Sequence, residues 1–279
     1  MPALSSKPDR YGVIGHPVSH SRSPFIHATF AQQTAQRLSY DAFDVEPADL
    51  AAFVSRFVAG GGKGLNVTVP HKIDIAGLVD SLSERARRAG AVNTLISGGG
   101  RITGDNTDGI GLVRDLTTNL GFEIGGKRIL IAGSGGAVRG VLSPLLALQP
   151  ATLALAGRTP SKAVQLAEQF SDLGHVIGCG LTDAAGGAFD LVINATSAGL
   201  GGEVAAIPPA VIGPHTLCYD MMYGREETAF CAWVRAQGAG RAVPGWGMLV
   251  EQAAESFLLW RGVRPDTAPV LAALKAGAV

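Results

Sequence analysis

The chain has 279 residues, 47% hydrophobic and 16% charged, with 38 glycines, enough for one large or two medium globular domains with a sizeable core. Its 23 basic and 23 acidic residues cancel, which leaves no electrostatic basis for binding nucleic acid or an anionic membrane surface. No apolar run reaches the roughly 18 residues of a membrane span, the polar start at residues 1–10 predicts no export signal, and Cys179, Cys218 and Cys231 form no metal-binding pattern. A reducing cytoplasm and a metal-free mechanism are the expected defaults.

In chain order, residues 11–15 predict a strand, 24–37 a helix, 38–45 a strand, 47–58 a helix and 64–69 a strand. Residues 80–90 predict a polar helix, and 91–97 with 101–104 a hairpin around the triple glycine at 98–100. Beyond residue 125 the texture changes. Residues 128–132, 152–156, 190–194 and 217–221 are near-continuous apolar runs, separated by segments long enough for crossovers. Strands apolar on both faces imply a parallel sheet covered on both sides. The expectation is therefore an α/β protein of two domains, residues 1–108 and a doubly wound domain at 109–246, followed by a helical tail at 247–279.

Gly133-Ser-Gly-Gly-Ala-Val-Arg-Gly140 directly follows the strand at 128–132 and opens a helix at 137–148, despite Pro144. Glycines let the chain turn tightly and bring its N–H groups to a pyrophosphate, whose charge the helix N-terminus favours. The last position of G-x-G-x-x-G falls on Val138, and a glycine-rich turn without a ligand is the alternative. At the end of the next strand an NAD enzyme places a carboxylate on the ribose, but here the chain reads Ala156-Gly-Arg-Thr-Pro-Ser-Lys162. Arg158, Thr159 and Lys162 offer a guanidinium, a hydroxyl and an ammonium, groups that suit a 2′-phosphate. A solvated loop that caps the next helix is the other reading; the place in the fold favours NADP.

The first domain carries several polar segments beside apolar strands. In Ser19-His-Ser-Arg-Ser-Pro24, Ser23 and Pro24 read as an N-cap and first-turn pair, at a helix start that also suits a carboxylate. Asn66-Val-Thr-Val-Pro-His-Lys72 ends a strand in a basic residue, where a surface charge is the ordinary reading. Asn93 lies in an apolar strand, where an unpartnered amide costs about 1–3 kcal/mol. Gly104-Asp-Asn-Thr-Asp-Gly109 packs two carboxylates into a turn that Asx geometry also explains. Gln252 sits in Met248-Leu-Val-Glu-Gln-Ala-Ala254, on a helix in mostly apolar company.

In this order the motifs S-R-S-P, N-V-T-V-P-H-K, G-A-V-N-T, G-D-N-T-D-G, G-S-G-G-A-x-R-G, N-A-T-S-A-G and G-M-L-V-E-Q-A-A resemble the shikimate dehydrogenase family, from about residue 11 to residue 260. The resemblance implies an NADP-dependent oxidoreductase that interconverts 3-dehydroshikimate and shikimate in aromatic amino acid biosynthesis. It implies an α/β substrate-binding domain and a Rossmann-type NADP domain, with the C-terminal helices returning to the first. Carried over by position, Ser21 and Ser23 bind the substrate carboxylate, and Thr68, Asn93, Asp108 and Gln252 hold its ring hydroxyls. Lys72 is the acid/base partner at the reacting oxygen, and Tyr223 reaches the substrate from the NADP domain. Gly133, Ser134, Gly135, Gly136 and Ala137, with Arg158, Thr159 and Lys162, bind NADP. Thr196, Ser197, Met221, Gly245 and Met248 line the ribose and nicotinamide, and Glu84 matches a position at times placed near the cofactor. The chain departs from the family at Gly157, where members often carry Asn near the 2′-phosphate, at His71 in place of an aromatic and at Leu200 in place of Met.

Oxidising an alcohol removes hydride from carbon and a proton from oxygen; a nicotinamide takes the first, and the protein must handle the second. Lys72 and Asp108 are the basic–acidic pair of these motifs and are expected to meet in a crevice facing the dinucleotide. Three rivals stand beside this reading. A quinate/shikimate dehydrogenase would use NAD or both cofactors. A non-catalytic NADP-binding regulator would not need Lys72, Asp108 and Gln252 intact. A folate-type dehydrogenase would need a Tyr-xxx-Lys helix, which this chain lacks. Monomer and homodimer both remain open.

Overall fold

The computed structural model describes residues 7–277 apart from Ser197. The chain divides into two units, Met1–Gly111 with Val250–Val279, and Leu112–Leu249. The expected boundaries, 108/109 and 246/247, fall within helices that carry the chain from one unit to the other.

Unit 1 begins β1 (Asp9–Gly15), α1 (Ser23–Gln33), β2 (Leu38–Asp44), α2 (Leu50–Ala59) and β3 (Gly62–Val67). It continues through β4 (Ser81–Leu82), α3 (Glu84–Ala89), β5 (Thr94–Gly98) and β6 (Arg101–Asp105). The sheet order is β2-β1-β3-β5-β6-β4. β1 pairs in parallel with β2 and β3, whereas β5 is antiparallel to β3 and β6. Gly99 and Gly100 form the two-residue loop between β5 and β6, with φ of 59° and 75°, the left-handed values that a tight hairpin of this twist requires. Ile14, Leu65, Val67 and Leu95 face one core, and Tyr11, Val13 and Tyr40 face another.

The expected polar helix at 80–90 is shorter and preceded by a strand. Ser81 and Leu82 pair with β6, and the Ser83 hydroxyl caps α3 by accepting Ala86 N–H at 3.2 Å. Gly90, at φ 59°, closes that helix. The N-cap of α1 is Arg22 rather than Ser23; Ser23 is the first helical residue, and its N–H donates to Ser21 Oγ at 3.3 Å. The expected helix at 24–37 ends at Gln33 because Ala35 turns to φ 52°.

α4 (Asp108–Arg114) and a π-helical turn at Asp115–Asn119 lead into unit 2. There follow β7 (Arg128–Ala132), α5 (Gly136–Leu146), β8 (Thr152–Gly157), α6 (Pro160–Gln169), β9 (Val176–Gly180), β10 (Leu191–Asn194), β11 (Leu217–Asp220), α7 (Ala229–Ala236) and β12 (Arg241–Pro244). All neighbouring strands are parallel, in the order β12-β11-β10-β7-β8-β9. This is the doubly wound order, which reverses direction between β7 and β10. Ile129, Ile131, Leu153, Leu155, Leu191 and Ile193 point into one core, and the alternating Leu130, Ala132, Ala154, Ala156 and Val192 into the other. Burial of both faces explains why these strands read as continuous apolar runs.

α8 (Trp246–Arg261) and α9 (Ala268–Lys275) end the fold, and their residues from Val250 onward rejoin unit 1 as expected. Trp260 Nε1 donates to Leu95 O at 2.9 Å. Gly64 lies beneath that indole, where a β-carbon would sit 2.6 Å from Trp260 Cε2. Among the described residues no helix is long and apolar enough to cross a membrane.

Candidate active site

Two backbone features bring the Lys72 and Asp108 segments together. After β3 the chain turns through the cis Val69–Pro70 peptide, and Val92 N–H then donates to Lys72 O at 2.7 Å. The β5–β6 hairpin returns the Asp105–Asp108 turn to the same end of the sheet, where Asn93 N–H donates to Asp105 O at 3.0 Å. Lys72 Nζ therefore lies 2.6 Å from Asp108 Oδ2, with the two side chains 14% and 5% exposed. A pair this dry is not the surface charge that Lys72 suggests in isolation.

Asn93 completes the pair. Its Nδ2 donates to Asp108 Oδ1 at 2.8 Å and Thr107 Oγ1 at 2.9 Å, and reaches Gln252 Oε1 at 3.3 Å. Its Oδ1 accepts Thr107 N–H at 2.8 Å. Asn93 is thus fully partnered, which offsets the cost of burying its amide. Lys72, Asn93, Asp108 and Gln252 form one cluster.

Ser23 approaches it through Tyr40 and residues to which the motif reading gave no role. Tyr40 Oη donates to Asn66 Oδ1 at 2.8 Å, and Asn66 Nδ2 donates to Ser256 Oγ at 3.0 Å and Asn93 O at 3.2 Å. Burial pushes the Tyr40 phenol well above its ordinary value, an effect that the adjacent Ser23 hydroxyl partly offsets. Asn66 and Thr107 stood inside motifs already singled out. Tyr40 and Ser256 lay on elements that already mix polar and apolar residues, and carried no signal of their own.

The Asp105–Asp108 turn is braced from behind. Arg85 grips Asp105 with Nε at 2.6 Å and Nη2 at 2.9 Å, and Ser83 Oγ donates to the same carboxylate at 2.5 Å. Burial alone would raise the Asp105 carboxyl, but Arg85, Ser83 and the Asn106 N–H outweigh it and hold the group below the usual carboxylate value. His71 is fully buried, and its Nε2 donates to Val45 O at 2.7 Å, so it fills an aromatic's place with one hydrogen bond added. Thr68 is half-buried; Glu84 is exposed on α3.

In unit 2 the glycine turn lies at the switch point of the sheet. Gly133 has φ 133°, and a β-carbon there would come 2.8 Å from Ala195 O, so only glycine passes between β7 and β10. A β-carbon on Gly135 would meet nothing within 4 Å, which leaves the outer side of the turn open for a ligand to approach the backbone. Gly136 and Ala137 open α5, whose first-turn N–H groups have no intrahelical acceptor.

Arg158, Thr159 and Lys162 are exposed at the end of β8 and the start of α6. Thr159 is the N-cap of α6, yet its side chain makes no cap bond, which weighs against simple helix capping as its role. Next to the turn, Asn194 Oδ1 accepts Thr196 Oγ1–H at 2.8 Å, and Asn194 Nδ2 donates to the buried Asp220 at 3.0 Å. Met221 N–H donates to Asn194 O at 2.9 Å and Gly245 N–H to Met222 O at 2.9 Å. Met248 N–H donates to Tyr219 Oη at 3.2 Å, and the Tyr223 ring packs on Trp246 at 4.7 Å. Ser197 lies outside the described residues. The open turn, the donor-rich helix start and the cationic groups beyond β8 fit a phosphorylated dinucleotide.

Strand order and glycine turn place unit 2 in the class of dinucleotide-binding domains that serve oxidoreductases. Residues 13–95 match the shikimate dehydrogenase substrate binding domain, and residues 245–275 the shikimate 5′-dehydrogenase C-terminal domain. The shikimate dehydrogenase (NADP(+)) of Dechloromonas aromatica is 55% identical over 96% of this chain and 98% of its own. An Ael1 enzyme from Pseudomonas putida superposes with a TM-score of 0.88 at 44% identity, over 95% of this chain and 98% of that one. Shikimate 5-dehydrogenase from Thermus thermophilus, in complex with NADP(H) and shikimate, gives 0.85 at 30% identity over 97% and 100%. The chain belongs to the shikimate dehydrogenase family.

Proposed function

We propose that this chain catalyses the reversible NADPH-dependent reduction of 3-dehydroshikimate to shikimate. The observation that carries the reading is the Lys72–Asp108 pair, 2.6 Å apart and largely withdrawn from water, within a network of amides and hydroxyls suited to a polyhydroxylated ring. NADPH, when bound, supplies the hydride for the carbonyl carbon. Lys72 Nζ gives a proton to the oxygen, Asp108 holds that nitrogen in place, and in the oxidation direction Lys72 takes the proton back.

Ser21 and Ser23 bind the substrate carboxylate. Thr68, Asn93, Asp108 and Gln252 hold the hydroxyls, and Tyr223 is assigned to the substrate as well. Gly133, Ser134, Gly135, Gly136 and Ala137 hold NADP, with the pyrophosphate over Gly135 and the start of α5, and Arg158, Thr159 and Lys162 bind the 2′-phosphate. Thr196, Ser197, Met221, Gly245 and Met248 are assigned to the ribose and nicotinamide. The zero net charge supports a role without nucleic acid; the enzyme is assigned to the cytoplasm, acting on small molecules, as a monomer or homodimer.

The test crosses shikimate and quinate with NADP⁺ and NAD⁺ in an initial-rate assay. Shikimate with NADP⁺ is expected to give the highest kcat/KM. A preference for quinate or NAD⁺ would move the chain to the quinate/shikimate reading, and no turnover with any pairing would make it a binder.

A further inference from the structure

We propose that Ser134 is a specificity-determining residue whose hydroxyl hydrogen-bonds the 2′-phosphate of NADP beside Arg158 and Thr159; this rests on the cofactor reading above. The register of β7 and β8 brings the relevant atoms together. Ala132 pairs with Ala156, and Gly133 N–H donates to Ala156 O at 2.8 Å. Residue 133 is thereby laid against residue 157, with Ser134 just beyond it, at the carboxyl ends of both strands. In a doubly wound fold this is where the protein meets the adenosine ribose.

Gly157 is buried, and the serine hydroxyl lies against the face where a side chain at 157 would stand. A β-carbon at 157 would lie 3.3 Å from Ser134 Oγ, 3.2 Å from Ala163 Cβ and 3.3 Å from Thr159 O. Ser134 Oγ thus points across toward β8. The pyrophosphate is expected elsewhere, over the open side of Gly135 and the start of α5. A hydroxyl facing β8, next to an exposed guanidinium and a threonine that leaves its cap position unused, is placed for the ribose substituent rather than the diphosphate. Where an NAD enzyme presents a carboxylate from the end of β8, this chain presents a donor from the end of β7.

The test measures equilibrium binding by calorimetry, without substrate or turnover, of NADP⁺, NAD⁺ and adenosine 2′,5′-bisphosphate to the unsubstituted protein and to Ser134→Ala. Loss of one hydrogen bond to a phosphate is expected to weaken NADP⁺ and the bisphosphate about tenfold, and NAD⁺ by less than about twofold. Gly157→Ala, whose methyl crowds the Ser134 hydroxyl, should lower NADP⁺ affinity in the same direction while the Ser134→Ala background removes that effect. Equal weakening of NADP⁺ and NAD⁺ by Ser134→Ala would assign the hydroxyl to the shared diphosphate and overturn the proposal, as would no change in either. Failure of the unsubstituted protein to prefer NADP⁺ over NAD⁺ would instead remove the cofactor reading, and this assignment with it.

Discussion

Replacing Lys72 should separate catalysis from stability. At 2.6 Å and an effective dielectric constant of about 20, the attraction between Lys72 and Asp108 is about 6 kcal/mol, most of it offset by the desolvation of both groups. Lys72→Met leaves a carboxylate that is 5% exposed without its cation, for which about 3–5 kcal/mol of lost stability is usual. Asp108 Oδ1 keeps the Asn93 bond at 2.8 Å, so the loss should fall near the lower end, about 3 kcal/mol. Loss of the proton donor should reduce kcat about 10²–10⁴-fold with a smaller change in KM, which is about 3–5 kcal/mol of barrier. Because the two effects are similar in size, Asp108→Asn is added to Lys72→Met. The neutral amide removes the stranded charge, so urea denaturation should show stability recovering while NADPH-coupled rates stay low. If activity returned along with stability, Lys72 would be a structural counter-ion and the proton-transfer assignment would be wrong.

His27 provides a pH prediction. It is buried against Tyr40, Phe30, Phe257 and Trp260, and burial pushes its imidazole down to about 3, with Asn66 offsetting only part. The unfolded chain takes up a proton at this residue below about pH 6.5 and the folded chain does not until about 3. The stability it leaves intact above 6.5 is therefore lost as pH falls, by about 2 kcal/mol from about pH 7 to about pH 5. Urea midpoints for the unsubstituted protein should drop over that range more than those of His27→Phe, and parallel slopes would refute this. In unit 2, Tyr219→Phe removes the donor to Asp115 Oδ2 at 2.6 Å and the acceptor of Met248 N–H. It should cost about 1–3 kcal/mol in the same denaturation assay; an unchanged midpoint would show that the bridge contributes nothing.

What could be read from the sequence depended on the range of the physics involved. The central strands of unit 2 were legible because burial on both faces makes every position apolar, as in Ile129 to Ala132. β9 and β12 were not, since edge strands bury less: Ile177 is 44% exposed, and Gly178 is required where α6 lies over the strand. The hairpin at Gly99 and Gly100 was legible because a left-handed pair is a local requirement. The candidate site was legible only as a set of residue types. Lys72 and Asp108 are neighbours because Val92 pairs with Lys72 O and the β5–β6 hairpin folds back on β3, and no local signal encodes either pairing. The same limit hid Tyr40, Asn66 and Ser256, whose polar groups matter only because each finds the next across separate elements. Buried polar groups that satisfy one another specify a unique arrangement. The residues that hold this site in place are therefore the ones whose meaning lies entirely in their partners.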